Sequence, residues 1–164
     1  MPWTWDLAAC AGKAEELLPA LVRLVSAEGW PHQPGEGFVG LRPELANLGR
    51  CTLTLSLVPP AAEGGQAGGI LRVETTALRL PAPGPGELYE RLCNWNAEHD
   101  NQDLLAVTSE QKGEVAVTVR AELVPQLGAK EPYLAADLRR AVERVARAGA
   151  RLKQTLETDL RPPV

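Results

Sequence analysis

The sequence predicts an α+β domain: an antiparallel sheet of about five strands with its helices mostly on one face. Three observations point there. Leu134, Leu138, Val142, Val145, Gly149, Leu152 and Leu156 recur at steps of three and four, the spacing that keeps one side of a helix apolar. Val115, Val117, Val119, Ala121 and Leu123 alternate with Glu114, Thr118, Arg120 and Glu122, the period of a half-buried strand. The order of such segments along the chain reads α-β-β-β-α-β-β-α.

The first helix is expected to run to about residue 27, with Thr4 or Asp6 as its N-cap and Leu7, Ala11, Ala14, Leu17 or Leu18, Leu21 and Val25 on its apolar stripe. Pro19 lies inside it, removes a backbone donor and crowds the preceding turn, so a kink or two shorter helices are expected. Residues 28–37, rich in Pro and Gly, read as loop. A short strand over 36–41 is anchored by Phe38, and 43–49 reads as a turn or a single helical turn. Cys51, Leu53, Leu55 and Leu57 alternate with Thr52, Thr54 and Ser56, a strand with one wet face. Residues 59–69 form a hairpin loop, and the strand over 70–80 alternates weakly, as if both faces were partly buried.

The run PAPGPG at 81–86 is a stiff break, but the strands on either side of it are too few to build separate cores, so residues 1–164 read as one domain. Pro85 suits the first turn of a second helix. Leu88, Leu92 and Trp95 give that helix its main face, and Tyr89 and Cys93 widen the apolar surface beyond what one core needs. Tyr89 and Cys93 are therefore the candidate dimer contact. Strands over 101–109 and 114–124 follow, joined by a turn at 110–113, and Pro132 opens the final helix.

Composition narrows the function. Aromatics are only 4% of residues, so the core must be mostly Leu, Val and Ala. The net charge of −4 argues against broad nucleic-acid binding, which neutralises many phosphates with Lys and Arg. An acidic chain suits a basic partner instead. No apolar run reaches the length of a membrane span, and residues 1–12 lack the basic segment of a signal peptide, so a cytoplasmic protein is expected. Cys10, Cys51 and Cys93 fit neither a disulfide framework nor paired zinc ligands and read as small buried hydrophobes.

No arrangement of reactive residues stands out. Residues 35–40 match G-x-G-x-x-G, yet Pro31 and Pro34 precede the run and no helix follows, so it reads as a turn entering a strand. The Gly-rich stretch from Gly64 to Gly69 lacks the Lys-Ser/Thr pair of a phosphate-binding loop. His32 and His99 are the only histidines, too few for a metal site of the kind Glu98-His99-Asp100 hints at. Ser26, Ser56 and Ser109 sit in no nucleophile elbow. No metal, cofactor or catalytic residue is expected.

One charge pattern is unusual. Arg140, Arg144, Arg147 and Arg151 fall within an arc of about 60° on the final helix, nearly opposite its apolar stripe. Such a row could receive an acidic helix, a carboxylate cluster or phosphates, or it could be a solvated face partly neutralised by Asp137 and Glu143. It is the candidate partner-binding surface. Trp3 and Trp5 near the start could cap the core or serve as exposed anchors.

The stretch LYERLCNWNAE at 88–98, followed by His99, two strands and a helix rich in Leu, Val and Arg, resembles the YbjN family of bacterial proteins. In that family a leucine-rich helix ends near an Asn-x-x-Asn or W-N stretch before a strand hairpin and a final helix. Trp95 and Asn96 match the W-N stretch, with Asn94 beside them. The resemblance covers mainly residues 87–156; the first 80 residues match only in element order. It implies the fold of type III secretion chaperones, small acidic proteins that commonly dimerise and bind partner segments, and it brings no catalytic residues with it.

Taken together, these features lead us to expect a non-catalytic, chaperone-like adaptor that binds a protein client as a homodimer. Its acidity would suit a basic client, and it would bind neither a membrane nor, directly, nucleic acid. The alternative is a small regulatory domain that binds a ligand or nucleic acid through the arginine stripe.

Overall fold

The computed structural model describes residues 14–35, 38–58, 70–123 and 135–160. Trp3, Trp5, Cys10 and the loop over 59–69 lie outside the described residues. The chain forms helix α1 (Ala14–Ala27), strands β1 (His32–Pro34), β2 (Phe38–Leu41), β3 (Glu44–Leu45), β4 (Gly49–Arg50), β5 (Leu53–Val58) and β6 (Ile70–Pro81), and helix α2 (Gly86–Ala97). A 3₁₀ turn (His99–Asn101), β7 (Leu105–Gln111), β8 (Glu114–Leu123) and α3 (Ala135–Asp159) complete it. The α+β class and the main element order are as the sequence predicts. The additions are three very short strands, β1, β3 and β4.

β1, β2, β5, β6, β8 and β7 lie side by side in that order as one sheet, antiparallel throughout, and β3 pairs with β4 in a small second ladder. Side chains alternate between the two faces of each strand, so register decides what is buried. Val39, Leu55, Val73 and Ala121 are aligned across four strands, and all are buried. On the opposite face Arg72 bonds Glu122 at 2.8 Å across the β6–β8 pair.

Register also explains why β6 looks weakly patterned. The pairing shifts between Thr76 and Leu78, so one extra residue, Ala77, is inserted as a bulge. Inward positions are Leu71 and Val73 before the bulge, and Leu78 and Leu80 after it, opposite Val117 and Val115. Outward-facing Ile70, Arg72 and Glu74 are themselves half-buried, so both faces are partly covered, as the weak alternation suggests. The strand also changes phase once.

The helices share one layer. α3 crosses β6 and β8, α1 lies over β1 and β2, and α2 packs on β7. Arg139 of α3 bonds Glu28 just beyond α1 at 3.1 Å, and Arg91 of α2 bonds Asp159 of α3 at 2.9 Å. The stripe Leu138, Val142, Val145, Gly149, Leu152 and Leu156 is buried against the sheet. Gly149 permits the close approach: a methyl there would sit 2.6 Å from Thr75 Cγ2. α1 runs unbroken through Pro19, so of the two outcomes expected there, a kink or two shorter helices, the division does not occur.

Of the two readings of residues 43–49 the turn holds: residues 46–48 turn at Asn47, whose φ is 68°, inside the small β3–β4 ladder. Two local readings need correction. The strand expected from residue 101 begins at Leu105. Asn101 is 1% exposed, and its side-chain amide donates to Trp95 O at 3.0 Å, so local bonding holds the chain in a turn before the strand can start. Finally, Cys93 is exposed and Cys51 only half-buried, so these two cysteines are not core hydrophobes.

Candidate protein-binding surfaces

Two surfaces gather the residues that the sequence singles out. The first surrounds the outer edge of β7, the last strand of the sheet. Asn96, near the C-terminal end of α2, donates through Nδ2 to Ala106 O at 3.0 Å and accepts from Ala106 N at 2.7 Å through Oδ1. One side-chain amide thus reproduces the two bonds that a neighbouring strand would make. Ala106 points both backbone groups away from β8, so by the two-residue period of an antiparallel pair Thr108 and Glu110 do the same. Nothing among the described residues hydrogen-bonds those outward groups. The edge is closed at one end by Asn96 and at the other by the Lys112–Gly113 turn, where both residues have positive φ (52° and 79°) as a tight hairpin requires.

Tyr89 and Cys93 belong to this surface. They precede Asn96 by seven and three positions, so all three lie on one side of α2, while Leu88, Leu92 and Trp95 fill the core. Tyr89 is 48% exposed and Cys93 is exposed. Because Asn96 reaches the β7 edge, its two companions flank that edge. The sequence marks Trp95 and Asn96 as a motif but gives no hint of what Asn96 bonds, since its acceptor lies on another element.

The second surface is a groove of about 440 Å³ between α3, the 3₁₀ turn and the β3–β4 ladder. Arg144, Arg147, Arg151 and Gln154 of α3 line it, together with Leu48, Leu104 and Asp100. Arg144 Nη1 donates to Asp103 at 2.9 Å. Arg147 Nη2 reaches Ala46 O at 3.3 Å, and Arg151 Nη2 reaches Asn101 Oδ1 at 3.4 Å. Three arginines of the stripe thus line an open groove, and Arg147 and Arg151 remain exposed to solvent. Arg140 stands apart: it pairs with Asp137 at 3.7 Å and lines a neighbouring hollow of about 220 Å³.

The guanidinium of Arg147 is felt at Cys51. Burial pushes that thiol above its usual value of 9.0, and the nearby Arg147 charge partly offsets the rise. Cys51 stays a neutral thiol that donates weakly to Gly49 O at 3.6 Å.

The histidines serve local structure. His32 Nδ1 lies 2.9 Å from Trp30 O, and its other ring nitrogen lies 3.3 Å from Ser26 Oγ. His99 Nδ1 lies 3.0 Å from Gln102 Nε2. Among the described residues no three His, Cys, Asp or Glu side chains converge as metal ligands. No helix among them is long and apolar enough to cross a membrane. The G-x-G-x-x-G run ends in β2, with no helix following it.

No family model, curated protein or solved structure matches this chain.

Proposed function

We propose that this domain is a non-catalytic, chaperone-like adaptor, a homodimer joined along β7 and α2 that offers the arginine groove to a protein client. The observation that carries this reading is the β7 edge. Its two outward-facing residues beyond the Asn96 cap, Thr108 and Glu110, are symmetric about Ser109. Two copies placed antiparallel about that residue set Thr108 of one opposite Glu110 of the other, and each such pair exchanges both backbone bonds. The Asn96 cap and the hairpin turn bound the pairing to this window, so the register is self-complementary and closed.

Magnitude shows that the edge needs help. Each backbone bond adds about 1 kcal/mol net, too little for a stable dimer. Covering the exposed half of each Tyr89 ring adds about 1 kcal/mol more per copy. Association thus depends on the strand and on α2 together, which is the role Tyr89 and Cys93 have in this reading. The resemblance to the YbjN family, with its secretion-chaperone-like fold, supports the same conclusion from the sequence side. The acidic whole-chain charge suits a basic client, but the groove carries the opposite sign, so a docking segment there is acidic.

Light scattering over a range of protein concentrations tests the dimer. The wild type is expected to dimerise, with Thr108→Pro and Tyr89→Ala each weakening association about tenfold, the equivalent of 1.4 kcal/mol. A chain that remains monomeric at the highest concentration would overturn the reading.

A further inference from the structure

We infer that the groove between α3, the 3₁₀ turn and the β3–β4 ladder binds an extended acidic segment of the client, with two carboxylates at alternate positions and an apolar residue beside them. This rests on the adaptor reading but uses a surface separate from the dimer edge.

The lining has three guanidiniums against a single carboxylate, Asp100. Arg144 is already matched by Asp103 at 2.9 Å. Arg147 and Arg151 have no ion pair among the described residues. Each instead spends one N–H on a neutral acceptor, the Ala46 carbonyl or the Asn101 side-chain oxygen. Those bonds steady both side chains and leave other donors on each fork for a ligand.

Spacing selects the ligand. Arg147 and Arg151 are one helical turn apart, about 6 Å along the axis. Alternate side chains of an extended peptide recur every 6–7 Å or so. One carboxylate per arginine therefore fits without distorting either partner. Half-buried Leu48 offers an apolar contact alongside, and Gln154 adds an amide at the groove's far end.

The same features disfavour a nucleic-acid backbone. Asp100 stands at the Arg144 end, where that arginine reaches its carbonyl at 3.4 Å, and would repel a continuous row of phosphates. The chain as a whole carries −4.

The test uses the full chain and a fluorescent peptide with two glutamates at alternate positions, flanked by leucines. Its controls are the same peptide with both glutamates changed to glutamine, a single-stranded oligonucleotide, and inorganic phosphate as competitor. The glutamate peptide is expected to bind saturably. The glutamine peptide, and the paired substitutions Arg147→Gln and Arg151→Gln, are each expected to weaken binding about tenfold or more, with binding falling as salt rises. Circular dichroism and light scattering confirm that the variant folds and still associates, so a failure here is distinct from failure of the dimer. The inference is overturned if the glutamate peptide does not bind, if both peptides bind alike, or if the arginine variant binds as well as the wild type. It is equally overturned if the oligonucleotide binds more tightly than the peptide, or if phosphate at low millimolar concentration displaces it.

Discussion

The two edges of the six-stranded sheet meet the same hazard in opposite ways. An edge strand exposes unpaired backbone groups that template further pairing. At one edge β1 has only three residues and ends at Pro34, which has no N–H to offer. At the other, β7 runs seven residues in regular register with β8, and among the described residues only Ala106 is occupied, by the Asn96 amide. One edge is shut by brevity and proline. The other is plugged at a single position and left open beyond it, with an exposed tyrosine alongside. A strand edge that is partly closed is a surface with a defined register, which is what specific pairing needs.

Substitutions can break this contrast at different depths. The largest expected effect is in the core behind the closed edge. Leu41 is fully buried on β2, and Leu41→Ala is expected to lower unfolding free energy by about 2–5 kcal/mol, measured by urea denaturation. Next is the plug itself. Asn96→Ala leaves the Ala106 N–H and C=O without partners and is expected to cost about 1–3 kcal/mol, with faster hydrogen exchange at Ala106. Thr108→Pro removes an outward donor from the open edge, so it should weaken association while changing monomer stability little. Pro34→Ala at the other edge should leave association unchanged.

The smallest effect concerns the cysteines. At pH 8 alkylation should modify exposed Cys93 before Cys51, because burial keeps the Cys51 thiol protonated. Its folded pKa is raised, so its stabilising contribution is present below about pH 9 and is lost as the pH rises through the raised value. Arg147→Gln removes the charge that lowers this pKa and should slow Cys51 alkylation further. Peptide mapping after timed alkylation reads all of this.

Local periodicity was enough for the long elements. The stripes of α3 and α2 and the alternation of β5 and β8 place their buried residues correctly, because each is a repeat visible within one segment. Features set by contacts between segments were not legible. The bulge at Ala77 depends on how β6 meets β8, so the sequence shows only a blurred alternation. The β3–β4 ladder pairs two residues with two, too short for any pattern. The turn at Asn101 depends on bonds to Trp95 and Glu98 that compete with strand formation.

The surfaces divide the same way. Helical spacing alone put Arg144, Arg147 and Arg151 on one side of α3, and Tyr89 and Cys93 on one side of α2. That the arginines face a cleft depends on Ala46, Leu48 and Asn101, brought in from distant segments. That Asn96 caps β7 depends on Ala106. Arg140 shares the spacing but not the groove: it lines the neighbouring hollow with Asp103, Leu104 and the end of β8.

Residue-resolved hydrogen exchange along β7, followed as protein concentration is raised, tests the central claim most directly. The account predicts that the Ala106 amide is protected at every concentration, whereas Thr108 and Glu110 exchange fast when dilute and become protected as copies pair. Thr108 and Glu110 amides that stay fast at concentrations where the protein is dimeric would contradict it.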